Sequence, residues 1–131
     1  MEVVSRAFHY YVPRSIVAGM ASGAPTSNDP ALLILTSLSS GPKHGYALTQ
    51  DIEAFAGVRL GPGTLYGALT RLEDRGLIEP LEAQDRRRPY RISADGAAAL
   101  ATTLAGLRRI LDEGDARLAG SGARLIGGSA T

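Results

Sequence analysis

Thr64, Tyr66, Gly67, Thr70 and Arg71 fall in one eight-residue window and concentrate polar chemistry of a particular kind. Two threonine hydroxyls, a phenol and a guanidinium can bond base edges or phosphate oxygens, and a glycine lets another surface come close. Such a set binds and does not catalyse. Elsewhere no Ser, His and carboxylate stand at the spacing of a nucleophilic site, and no glycine-rich phosphate loop follows a strand. With no cysteine, and with only His9 and His44, far apart, there is no thiolate, disulfide or metal-ligand pattern. The expectation is a non-enzyme without cofactor or metal.

The element that must carry these residues is a helix from Gly63 to Arg75, opened by Thr64 and stopped by Gly76. Leu65, Leu69 and Leu72 recur at i, i+4, i+7 and give it one narrow buried stripe. At about 100° per residue, Gly67, Thr70, Arg71 and Asp74 lie opposite that stripe, with Thr64 and Tyr66 on its flanks. Its first turns suit a DNA major groove, although the pattern alone also fits an ordinary amphipathic surface helix. An isolated helix of about thirteen residues is marginal in water, so neighbours must hold it. The first is signalled by Asp29-Pro30, a cap followed by proline, and by Ala31 to Leu35 and Leu38, apolar nearly all round. A second runs from about Lys43 to Phe55, with Leu48, Ile52 and Phe55 inward and Tyr46 expected in the core. Lys43 and His44 stand at its N-terminus, where dipole, backbone donors and cationic charge could meet a phosphate; for Lys43, simple solvation fits equally well. Val58 and Leu60 suggest a short extended return.

Beyond the central helix, residues 77–82 and 89–93 read as two short strands, with Pro80 and Pro89 restricting them to edge-like pairing. Arg86, Arg87 and Arg88 lie in the loop between them, and with Arg91 they form the dense basic patch of a chain whose formal net charge is only +1. A planar guanidinium pairs with phosphate through two parallel bonds, so Arg86 and Arg87 are read as backbone contacts and Arg91 as hairpin support. Three helices and a hairpin make a mainly α fold with a small β-hairpin, the winged helix-turn-helix arrangement, over residues 29–93. Ser93 then caps a long helix over 94–118. Ala97, Leu100, Leu104, Leu107, Leu111 and Leu118 follow a heptad frame that calls for another helix, so Leu100, Leu104, Leu107, Leu111 and Leu118 are read as a dimerisation seam. Residues 119–131, rich in Gly, Ser and Ala, read as a flexible tail, and residues 1–28 as a disordered extension and linker without the pattern of a secretory signal. No stretch is long and apolar enough to span a bilayer, and the chain is compatible with a reducing cytoplasm.

The run Pro62-Gly-Thr-Leu-Tyr66, then Leu69-Thr-Arg-Leu-Glu73 and Gly76-Leu-Ile78, preceded by His44-Gly-Tyr46 and followed by Arg88-Pro-Tyr-Arg-Ile-Ser93, resembles the PadR family of winged-helix transcription regulators. The resemblance covers roughly residues 30–118, with Gly67 where the family usually has proline. It implies a sequence-specific DNA-binding repressor that dimerises through its C-terminal helix on a pseudo-palindromic double-stranded site, and it leaves room for a small hydrophobic effector. On this reading Lys43, His44, Thr64, Tyr66, Gly67, Thr70, Arg71, Arg86, Arg87 and Arg88 face DNA. The near-neutral charge keeps open a winged-helix protein-interaction module that binds no DNA.

Overall fold

The computed structural model describes residues 29–130, with side chains through Gly122. The expectations for residues 1–28 and for residue 131 lie outside the described residues. Among the described residues, four helices and one two-stranded antiparallel sheet follow in order: α1 Pro30–Leu38, α2 Gly45–Ala56, α3 Pro62–Asp74, β1 Ile78–Pro80, β2 Tyr90–Ile92 and α4 Ala94–Ala130.

Helix α1 is the centre. Ala31, Leu33, Ile34, Leu35 and Leu38 are all buried, which a helix achieves only when neighbours cover it on several sides. Leu48 and Ile52 of α2 close one side, Leu65, Ala68, Leu69 and Leu72 of α3 another, and Ala99 and Leu100 of α4 a third. Each fully buried aliphatic side chain contributes about 1.5–3 kcal/mol relative to exposure. Helix α3 therefore owes its shape to the core behind it.

Helix α3 ends as its sequence requires. The N–H of Gly76 donates to the Glu73 carbonyl at 2.9 Å and that of Leu77 to the Leu72 carbonyl at 3.0 Å. This double closure needs a left-handed residue at its corner, and Gly76 supplies it at φ +72. Leu77 is thereby folded back into the core. Strands β1 and β2 pair Ile78 with Ile92, Glu79 with Arg91 and Pro80 with Tyr90. They are shorter than expected, although the Leu81 N–H still donates to the Pro89 carbonyl at 2.8 Å. Lys43 joins the edge of this sheet, exchanging backbone bonds of 3.1 and 2.9 Å with Tyr90. The wing is thus tied on one side to the end of α3 and on the other to the start of α2.

Several expectations need correction. Tyr46 is 61% exposed instead of lying in the core, and Phe55, in the last turn of α2, is 47% exposed. Tyr46 precedes Leu48 by two positions, about 200° around the axis, which sends it to the opposite face. Val58 and Leu60 form no strand, although Leu60 is buried. In α4 the heptad seam divides. Leu100 is buried and Leu104 packs on the same core, so the chain's own α1 takes the part expected of a second copy. Leu111 and Leu118 are 62% and 72% exposed, and Ile110, absent from the expected seam, is 61% exposed beside them. The helix also runs on to Ala130, past the expected end at Leu118.

Candidate nucleic-acid interface

Thr64, Tyr66, Thr70 and Arg71 are all exposed on the outer face of α3, with Gly67 half-buried among them. Pro62 opens the helix at its first position after Gly61, so the start comes a residue earlier than Gly63 and Thr64 stands within the first turn. The Thr70 hydroxyl donates to the Tyr66 carbonyl at 2.9 Å within the helix. Its proton is engaged, so outward it offers a lone pair and a methyl group, a better match to base edges than to phosphate. Arg71 lies back along the axis, its Nη1 3.4 Å from where a side-chain carbon on Gly67 would stand. A methyl group at 67 would meet that guanidinium in ordinary van der Waals contact, so the glycine keeps this face flat without being required by Arg71.

Tyr66, 52% exposed, crosses toward the first turn of α2. A Cβ at Gly45 would collide with the Tyr66 hydroxyl, so the bare position 45 is what lets the Tyr66 ring lie over the start of α2. On the α2 side Tyr46 accepts a hydrogen bond from Gln50 Nε2 at 3.0 Å. The phenol is otherwise open to solvent, with Tyr46 61% exposed. Sequence reasoning missed this pair, and the signal that could have found it is the i, i+4 spacing of Tyr46 and Gln50 on the face opposite Leu48 and Ile52.

The wing tip is a tight turn. Gln84 and Arg87 exchange backbone hydrogen bonds of 2.7 and 2.8 Å, and the two residues between them, Asp85 and Arg86, both have positive φ, 50 and 64. That is the hairpin geometry whose twist matches its strands. It leaves Arg86, Arg87 and Arg88 exposed. Arg88 Nη1 donates to the Leu81 carbonyl at 3.3 Å and so braces the loop. Arg91 pairs with Glu79 across the strands at 2.8 Å, the supporting role expected of it.

Arg87 Nη1 comes 3.3 Å from Nε2 of His44, and this contact brings the wing to the start of α2. His44 is the N-cap of α2, its Nδ1 accepting from the Ala47 N–H at 3.3 Å. A neutral imidazole that accepts at Nδ1 carries its proton on Nε2. With that tautomer the imidazole N–H and the guanidinium are two donors 3.3 Å apart, which an anionic oxygen bridging both from the side would satisfy. A crevice of about 400 Å³ opens beside them, lined also by Tyr46, Tyr66, Arg86 and Tyr90. Within it the Tyr90 phenol is pushed above its usual pKa by burial first, then by Glu73 and Tyr66, with Arg88 acting in the opposite sense.

Lys43 requires a correction. Its ammonium turns inward, donating to the Ser37 carbonyl and to Ser40 Oγ, with the Asp51 carboxylate 3.9 Å away. The Ser37 hydroxyl donates to the same carboxylate at 2.6 Å. Lys43 closes the C-terminus of α1 and ties it to α2, a better place for an ammonium than open solvent because helix carbonyls await donors there. Among the described residues no group of three or more potential ligands could hold a metal ion.

The description of the transcriptional regulator PadR-like family matches residues 34–102 of the chain. Similar proteins include the transcriptional regulator Rv3488 of Mycobacterium tuberculosis, 38% identical over 97 residues that span 70% of this chain and 90% of that one. Another is the transcriptional activator GvpE2 of Halobacterium salinarum, 39% identical over 72 residues, which are 55% of this chain and 36% of that one. The chain spans between 20% and 42% of the length of three of the curated relatives it matches, one of them 50% identical over 70 residues. Among solved structures, a PadR family transcription regulator from Clostridium difficile superposes with a TM-score of 0.62, covering 68% of this chain and 97% of that one. At 23% identity that likeness concerns the fold.

Proposed function

The chain belongs to the transcriptional regulator PadR-like family, and from that premise we propose that it is a cytoplasmic, homodimeric repressor that binds double-stranded DNA in a sequence-specific way. The observation that carries this is the outer face of α3: Thr64, Tyr66, Thr70 and Arg71 are all exposed on a helix whose opposite face is locked into the core. Set in a major groove, Thr70 and Arg71 read base edges, Arg71 through guanine O6 and N7 or a phosphate, and Gly67 admits the close approach. His44, Arg86 and Arg87 hold the phosphate backbone, with His44 and Arg87 donating to one phosphate oxygen. Tyr46 and Tyr66 add phenol donors along the same strand. Lys43 holds the scaffold and touches no DNA. Two copies related by a two-fold axis place two α3 helices about 34 Å apart, one turn of the duplex, on a pseudo-palindromic site. Occupying such a site within a promoter blocks transcription.

Binding of the full chain to duplex DNA across a salt series tests this. Several phosphate contacts give a linear fall of log K with log salt of slope about −0.9 per contact. A flat response removes the assignment. The near-neutral net charge of +1 favours a second reading, a winged-helix module whose partner is a protein. That reading predicts no DNA binding at any salt concentration.

A further inference from the structure

The junction between β2 and α4 is tied more closely than the start of a helix requires. Ser93 precedes α4. Its Oγ accepts from the Gly96 N–H at 3.0 Å and donates to the Gly76 carbonyl at 2.6 Å, while its backbone N–H donates to the Leu77 carbonyl at 3.1 Å. One short side chain thus caps α4 and grips the turn that ends α3. Gly96, buried, lies against the same turn. A Cβ there would run into the Leu77 carbonyl oxygen and stand 2.9 Å from Ile92 Cγ1. The first obstacle is backbone, which cannot swing aside as the tip of a side chain would. Any residue larger than glycine at 96 must push α4 away from α3.

We infer that Ser93 and Gly96 are positioning residues: they form an elbow that fixes the angle between α3 and α4, and through it the separation at which two copies present α3 to DNA. This rests on the dimeric DNA-binding reading above. The exposed Ile110, Leu111 and Leu118 lie far out on α4, so the position of one copy relative to the other follows the direction in which α4 leaves the elbow. The lever is long. The stretch from Ala94 to Leu118 spans about 36 Å, so a tilt of about 6° at the start of α4 moves the outer end of the seam by about 4 Å. On DNA that is more than the rise of one base pair, enough to change which half-site spacing fits.

The chain has no cysteine, so nitroxide labels can be placed at Asp74→Cys and Ala116→Cys, both exposed, with labelled chains diluted in unlabelled ones so that distances are read within one copy. Pulsed electron–electron resonance is measured for this parent and for its Gly96→Ala and Ser93→Ala variants. The unlabelled variants are tested on duplexes carrying two half-sites at varied spacing and on a lone half-site. The inference expects Gly96→Ala to shift the distance by several ångströms and Ser93→Ala to broaden it. The preferred spacing should move or blur in both, while lone half-site affinity stays within about twofold. If Gly96→Ala does not fold, Ser93→Ala decides by the same readouts. Parental distances, or an unchanged spacing preference, overturn the elbow. A wild-type chain that bound no duplex would overturn the DNA reading, and the intramolecular distance would still judge the elbow by itself.

Discussion

Arg87 and His44 face each other as two donors, and that pairing gives the proposed phosphate site its sharpest tests. Replacing Arg86 or Arg87 by alanine should weaken binding to all sequences alike and reduce the salt slope by about 0.9 for each phosphate no longer neutralised. Replacing Arg71 should instead change sequence preference, at a cost of about 1–3 kcal/mol on the preferred site. His44 does two things that substitution separates. His44→Asp keeps a good N-cap and carries no outward donor, so it should weaken DNA binding while leaving stability nearly unchanged. His44→Ala loses both, with about 1 kcal/mol of stability, as a urea melt would report. Types and spacing in the sequence were enough to put Thr64, Tyr66, Thr70 and Arg71 on one exposed face, because a leucine stripe fixes the azimuth of every other residue on its helix. They were not enough for Lys43. Whether a cation next to a helix start faces solvent or its own neighbours depends on which carbonyls the previous helix leaves open, and those are known only once α1 and α2 are docked.

At the scale of the element, α3 is an average helix held in shape by its surroundings. Gly67→Ala should raise its stability by about 1 kcal/mol, seen as a higher midpoint in thermal melting, because the new methyl group meets the Arg71 guanidinium only in ordinary contact. The wing carries a pH dependence. Tyr90 is harder to ionise in the folded protein than in the unfolded chain, where its pKa is near 10.0. Its contribution to stability is therefore complete below that value and is lost as the pH rises through the higher folded one. Alkaline melts should show the loss, and Tyr90→Phe should reduce it. The hairpin was legible from its prolines and arginines, but its tight turn was not. Asp85 and Arg86 are unusual choices for two consecutive left-handed positions, where Asn-Gly would have announced the turn.

For the whole molecule, the division of α4 into an inward and an outward half is decisive. Heptad spacing shows that leucines share a face and cannot say whose core that face meets, which is why Leu100 and Leu104 proved internal while Ile110 went unnoticed. Glutamate at Leu111 and Ile110 should leave the fold intact and yield monomers by light scattering. At Leu100, 6% exposed, the same change should unfold the domain, because it would bury an unpaired charge. The proposed repressor rests on two outward α3 faces acting in tandem on one duplex. Hydroxyl-radical footprinting of the full chain on the DNA preceding its own gene, where regulators commonly act, tests this most directly. Two protected patches about 10 base pairs apart, related by a dyad and both lost in the Arg86, Arg87 double variant, are the predicted result; a single patch, or uniform cleavage at every protein concentration, would contradict it.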